Sequence, residues 1–371
     1  MEDRFKIKKR KEFKLSYKTK RFLSLLSLIF IYFLFLFFFS PKGTILKEWV
    51  IIPPITSKME IFNNNIIYSS SKTLYNLDSG LSINFPYNII NFKVYNDKIY
   101  ILSDHLAIVN SSFNIIKEIK KEGFYPHDIY FFKNSFCVRW DGAYNLKIIL
   151  TSYNINNFKE IKNLSFDKFS FIPYITIFDE GNKILLFQND GDTILLNFSG
   201  EILWQKNIRP NDVIVFDPHG VVNEKTGKIV LYWRSYAYNT NIILVLNMDG
   251  EIIRNYEIKN NINELFLDDN NIYLITNDGV KIITNNAIHK ESIPFYIPVD
   301  SFFINDNFII VWKFKNFISN YKLIKVNDKK IIFNGNLKDI LINQNKLYIL
   351  INSKIYNINL YDWWKKYNWK N

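Results

Sequence analysis

The sequence predicts an all-β fold, an eight-bladed β-propeller, preceded by one membrane-spanning helix. Three observations carry this. An uncharged apolar run, "FLSLLSLIFIYFLFLFFFS" at residues 22–40, directly follows a basic segment. Beyond Pro54, short apolar β-rich runs alternate with Asn, Asp, Gly and Ser turns, with no long helical period. A strand–turn–strand unit then recurs at a period of about 40 residues, the length of a four-stranded propeller blade.

The helix comes first in the chain. Nineteen residues without a charge suffice to span about 30 Å of hydrocarbon, and a buried core helix is rarely apolar on every face. Residues 1–21 hold ten Lys/Arg against three Asp/Glu. Cations on the N-terminal side place that end in the cytoplasm and residues 41–371 outside the cell membrane, as in a single-pass protein. A cleaved signal peptide is the competing reading. Its apolar region is usually about 7–15 residues with a small-residue cleavage site; this run is longer and ends in Phe-Phe-Phe-Ser-Pro, which favours an uncleaved anchor.

The overall charge of +12 is concentrated in that basic tail. Such a tail can bind nucleic acid, but one abutting an apolar span is a topology signal, so no nucleic-acid partner is expected. Cys137 is the one cysteine, which excludes an intramolecular disulfide. Without a Cys/His cluster, no structural zinc is expected. "NDGD" (189–192) and "DDNN" (268–271) lack full calcium-loop spacing and fall where hairpin turns belong.

The repeat fills residues 41–360. Aligned on the end of the second strand of each unit, the anchors are Ser69, Leu102, Trp140, Phe187, Trp233, Ile275, Trp312 and Leu350. These eight anchors give eight blades; seven, with a degenerate first repeat, is the alternative. The last unit offers three strands, "LKDILIN", "KLYILIN" and "KIYNINL". "LKEWVII", residues 46–52, can supply the fourth and leave no open edge. Pro126, Pro173, Pro218 and Pro298 mark blade starts, where a missing ladder N–H costs least.

"YNLDSGLSINF" (75–85), "LNFSGEILWQ" (196–205) and "LNMDGEIIRNY" (246–256) resemble the third-to-fourth-strand turn of the PQQ-like repeat β-propeller family, in which a Gly-containing turn leads to a short run ending in Trp. Of the three, the run from 196 ends in Trp, at Trp204. By architecture the resemblance extends to membrane-tethered propellers, such as the lipoprotein of the outer-membrane β-barrel assembly machine. It implies a propeller over about residues 46–360 and a role in an envelope assembly. The cofactor PQQ is not implied, because the adjacent cysteines of quinoprotein dehydrogenases are missing, and no other cofactor is expected.

Residues that start strand one and end strand two of a blade share a face of the ring. This groups His127, Asp128, Arg139, Trp140 and Asp141; then His219, Trp233 and Arg234; then Asp300, Trp312 and Lys313. Trp and Arg are enriched at binding hot spots. The expected binding residues are therefore Trp140, Trp233, Trp312, Arg139, Arg234, Asp128 and Asp300. The same positions can instead be structural, with each Trp filling the wedge between blades. His127 and His219 are the candidate catalytic residues if the protein is an enzyme. His105 and His289 lie elsewhere in their repeats and are expected at the surface. The C-terminal "YDWWKKYNWKN" (361–371) packs three Trp and three Lys, which suits a membrane–water interface or packing on the ring's outer edge.

Three function classes remain. The first is an anchored interaction scaffold, a subunit of an envelope complex, attached to the membrane through residues 22–40. The second is an enzyme resembling the propeller-type arylsulfotransferases, with His127 and His219 at the channel mouth. The third is a receptor stacking sugars on its aromatic rim. Fold alone does not choose among them, though the lack of catalytic motifs favours the first.

Overall fold

The computed structural model describes residues 24–28, 30, 44–45, 48–51 and 58–359, apart from 144–146, 168–172, 189, 209–215, 235–239, 261, 269–270, 277, 285–286, 293–295, 305–306, 315–320, 327–328, 335–336 and 344–345. The chain divides into two compact units, Met1–Lys42 and Gly43–Asn371.

In the first unit, Ser24–Leu28 and Phe30 are helical, with Leu25, Leu26, Leu28 and Phe30 exposed. No helix among the described residues is long and apolar enough to cross a membrane. Most of the expected span 22–40 lies outside the described residues, as does the tail 361–371.

The second unit is an all-β propeller. Its described strands form eight sheets. Seven are blades whose four strands follow one another in sequence: blade 1 (59–84), blade 2 (91–119), blade 3 (124–166), blade 4 (174–207), blade 5 (216–259), blade 6 (262–291) and blade 7 (296–334). The remaining sheet is composite. Leu337–Asn343, Lys346–Ile351 and Lys354–Asn359 supply three strands, and Glu48–Ile51 pairs antiparallel with the last of them. The expectation of eight blades is thus corrected to seven blades of consecutive strands, the alternative count, plus one composite sheet, because residues 337–359 supply three strands alone. One strand was not foreseen: Thr44–Ile45 adds in parallel to the outer edge of blade 7, opposite Ile331 and Ile332.

The alternation of strand residues explains the layering. Second strands are apolar on both sides and buried, as in Lys98–Leu102 and Lys183–Phe187, while fourth strands such as Ile115–Ile119 are mostly exposed. The core is a series of apolar wedges between neighbouring blades. Phe62, Ile67 and Leu74 of blade 1 pack on Phe92, Ile99 and Ile101 of blade 2. Met59, Ile66 and Tyr68 pack on Tyr348, Leu350 and Ile355 of the composite sheet, which completes the ring.

Asparagine shapes the turns. Asn76, Asn110, Asn154, Asn197 and Asn247 each end a third strand, and each side-chain oxygen accepts two backbone N–H groups from the following turn. This side-chain cap replaces a backbone turn. Asn63, Asn64, Asn96 and Asn352 adopt positive φ in other turns, a conformation Asn tolerates better than most residues.

Candidate functional site

The site is built on the first two strands of blade 3, Phe124–Phe131 and Ser135–Gly142. They pair with Pro126 opposite Trp140 and Asp128 opposite Arg139, so His127 is an extra residue in a β-bulge. First-strand bulges recur in blade 5 (Phe216/Pro218), blade 6 (Ile262/Glu264), blade 7 (Pro298/Asp300) and the composite sheet (Leu337/Asp339). In blades 3, 6 and 7 and the composite sheet an acidic residue follows it: Asp128, Glu264, Asp300 and Asp339. A bulge re-aims the side chains beside it.

Asp128 and Asp339 bind neighbouring blades together. Lys93 of blade 2 donates to the Asp128 carboxylate at 2.7 Å and to the Ile129 carbonyl at 2.9 Å. Lys58 of blade 1 does the same to Asn91 Oδ1 at 3.3 Å and Phe92 O at 2.8 Å in blade 2. Asp339 accepts the Met59 N–H at 2.6 Å. Asn91, Asp128 and Asp339 also each accept the N–H of the next residue, at 2.8, 2.8 and 2.9 Å. One device therefore joins the composite sheet to blade 1, blade 1 to blade 2, and blade 2 to blade 3.

Arg139 and Asp141 lie on one side of their strand, two residues apart. The guanidinium donates in bidentate fashion to the carboxylate, at 2.8 and 3.1 Å, and both residues are buried. Such a pair is rigid and strongly geometric. His127 Nε2 lies 3.9 Å from Asp141 Oδ2, with its ring half exposed. Tyr125 beside it is also exposed. The result is a fixed polar floor carrying a solvent-facing imidazole and phenol. In blade 5, His219 is half-buried and stacks on Tyr232, 5.0 Å between centroids and 13° between planes, with Tyr174 of blade 4 at 6.0 Å. Burial pushes the Tyr130 and Tyr174 hydroxyls above the ordinary phenol value, and the Asp128 charge adds to this.

The three tryptophans do not share that surface. Trp140, Trp233 and Trp312 are 0, 1 and 0% exposed. Alternation puts Trp140 on the opposite side of its strand from Arg139 and Asp141. It packs with Tyr100 and Leu102 of blade 2, and Trp233 meets Phe187 of blade 4 edge to face at 4.7 Å. Among the described residues the indole N–H groups of Trp233 and Trp312 meet no hydrogen-bond acceptor, and that of Trp140 lies near the Tyr153 hydroxyl. An exposed aromatic rim is thus not what the described residues present. The Arg234 and Asp300 side chains lie outside the described residues. His105, expected at the surface, is 2% exposed, with Nδ1 2.6 Å from Asp104 and Nε2 3.2 Å from Glu118. His289 is exposed. Among the described residues no cluster of His, Cys, Asp and Glu could hold a metal ion.

Sequence reasoning missed the blade-joining lysines. Lys58 and Lys93 stand 35 residues apart beside inner-strand starts, and that spacing was the available signal.

No protein-family model and no curated protein sequence matches this chain. Solved structures do resemble it. The crystal structure of BamB from Moraxella catarrhalis superposes with a TM-score of 0.56 at 11% identity, covering 84% of this chain and 98% of that one. The Dos1 propeller gives 0.58 at 9% identity, covering 85% and 95%. A chain of the mitotic checkpoint complex gives 0.51 at 9% identity, covering 86% and 93%. At these identities the likeness shows the β-propeller fold.

Proposed function

We propose that this protein is a membrane-anchored, extracytoplasmic β-propeller that acts as a protein-interaction scaffold, a subunit of an envelope complex. Several observations support the reading. Residues 22–40 are apolar and follow a basic segment, which favours a single span with the N-terminus in the cytoplasm. The turns at Asn76, Asn197 and Asn247 fall in the segments that resemble PQQ-like repeats. One propeller of similar fold belongs to a multiprotein complex, by its own description.

The observation that carries the reading is the blade 3 mouth. Tyr125 and His127 face solvent over a buried, bidentate Arg139–Asp141 pair. Rigid support with exposed aromatic and imidazole groups suits docking, because little conformational freedom is lost on binding.

The test is crosslinking and affinity purification of the full-length protein from its own membranes, beside a Tyr125→Ala/His127→Ala variant of unchanged thermal stability. A partner recovered with wild type and lost with the variant supports the scaffold. Equal recovery by both rules this mouth out as the docking surface. Recovery of no partner by either counts against the scaffold.

A further inference from the structure

A second repeated feature lies at the outer perimeter. In blades 2, 3, 4 and 5 the fourth strand carries a bulge near its start. The registers step from Ile115 to Lys117, Glu160 to Lys162, Ile202 to Trp204 and Ile252 to Arg254. The extra residues are Ile116, Ile161, Leu203 and Ile253. They are 41, 51, 45 and 52% exposed. A bulge is a built feature that redirects a side chain, and here four successive blades use it to hold an aliphatic group in water. Ile115, Ile202 and Ile252 beside them are exposed too.

All four sit six or seven residues past the turn-capping Asn110, Asn154, Asn197 and Asn247. They therefore share one face of the propeller, that of the third-to-fourth-strand turns. Exposed Lys117, Lys162 and Arg254 directly follow three of them. Four nearby carboxylates have partners within the fold. Glu118 meets His105, Glu160 meets Lys121 at 3.7 Å, and Glu201 and Glu251 accept the Asn197 and Asn247 side-chain amides at 2.8 and 2.9 Å.

We propose that this perimeter, Ile116, Ile161, Leu203 and Ile253 together with Lys117, Lys162 and Arg254, rests on the surface of a bilayer containing anionic phospholipid. Aliphatic groups enter the headgroup–acyl boundary, and Lys or Arg meets lipid phosphate. An exposed aliphatic group on each of four successive blades, with a cation beside three of them, matches a planar, laterally uniform partner better than a single protein patch. The bulges interrupt the edges and make them poor templates for an added strand. The inference deepens the proposed membrane attachment and rests on it for bringing the propeller to the bilayer.

The test uses the full chain reconstituted into vesicles of phosphatidylcholine alone or mixed with phosphatidylglycerol. Ile116→Cys, Ile161→Cys, Leu203→Cys and Ile253→Cys each carry an environment-sensitive fluorophore; Cys137 is buried and stays unlabelled. Lys72→Cys, exposed in the second-to-third-strand turn of blade 1, at the strand ends opposite the third-to-fourth-strand turns, is the control. With phosphatidylglycerol the four perimeter labels should shift to the blue and be quenched by nitroxide lipids, and the control should not. Lys117→Glu/Lys162→Glu/Arg254→Glu should abolish the shift. Co-flotation with unshifted labels overturns the inference and leaves the anchor standing. Equal shifts in phosphatidylcholine alone overturn the anionic requirement. Shifts that need an added membrane-protein extract assign the face to a protein and overturn it. Flotation with shifted labels only when phosphatidylglycerol is present defeats the anchor and supports the inference. Failure to float with either vesicle defeats both.

Discussion

The Asp339 carboxylate accepts the backbone N–H of Met59 at 2.6 Å across 280 residues of sequence. This contact joins the composite sheet to blade 1. Its second oxygen accepts the Ile340 N–H at 2.9 Å. Burial raises the carboxyl to about 6, against the lowering effect of these two bonds and of Lys58; Glu60 adds to the rise. Lys58 in turn bonds Glu60 at 2.7 Å.

A pH dependence follows. A carboxyl raised in the folded state favours folding in its protonated form. That contribution is complete below the ordinary value of 3.8 and is lost as pH rises through about 6. Its size is on the order of 2–3 kcal/mol at most. Thermal unfolding between pH 4 and pH 8, with wild type beside Asp339→Asn, should show a difference that changes across this window. Parallel curves would mean that Asp339 titrates alike in the folded and unfolded chain.

Trp204 and Gly250 give a steric prediction. Gly250 has φ +72°, and an added Cβ would lie 2.9 Å from the Trp204 ring. The Trp204 indole donates to Met248 O at 2.8 Å, which ties blade 4 to the turn of blade 5. Gly250→Ala should cost about 1–3 kcal/mol from the left-handed backbone and the clash. Adding Trp204→Leu should make the two costs clearly non-additive, as expected for groups in contact. Strict additivity in urea unfolding would separate these residues energetically.

The buried tryptophans predict a contrast between two substitutions. Trp233→Ala or Trp312→Ala should cost about 3–5 kcal/mol by opening a cavity. The corresponding Phe variants should cost about 1–2 kcal/mol, because the indole N–H has no acceptor among the described residues. Denaturant unfolding of both pairs decides this. Equal losses for Phe and Ala would show that the indole N–H does have a partner in solution.

The blade repeat was legible because its turns carry their own chemistry. Asn197 and Asn247, each followed by a Gly-containing turn and then Glu, announce the third-to-fourth-strand connection without tertiary information. The three-strand ending near residue 359 was legible for a similar reason, since strand runs can be counted. The rim was misread at Trp140. Its neighbours Arg139 and Asp141 point the other way by simple alternation, so one polar surface and one buried wedge were merged. The bulges at His127, Ile116 and Ile253 were not legible. One extra residue in a strand leaves the periodicity of the sequence nearly unchanged and shows itself only through the register of its partner. His105 was misplaced because nothing local announces that Asp104 and Glu118 will close around its ring.

The composite sheet sets the order in which the molecule can finish being made. Glu48–Ile51 emerges among the first segments of the domain, yet its partner Lys354–Asn359 is among the last. Until some 300 residues have been synthesised, the early strand has no ladder to join, and the Met59, Ile66 and Tyr68 face of blade 1 has no cover. Contacts this distant in sequence form slowly, and an apolar face left waiting is prone to aggregate. A ribosome that stalls a few dozen codons early would release a chain with nearly every blade in place and two sticky margins facing each other across a gap.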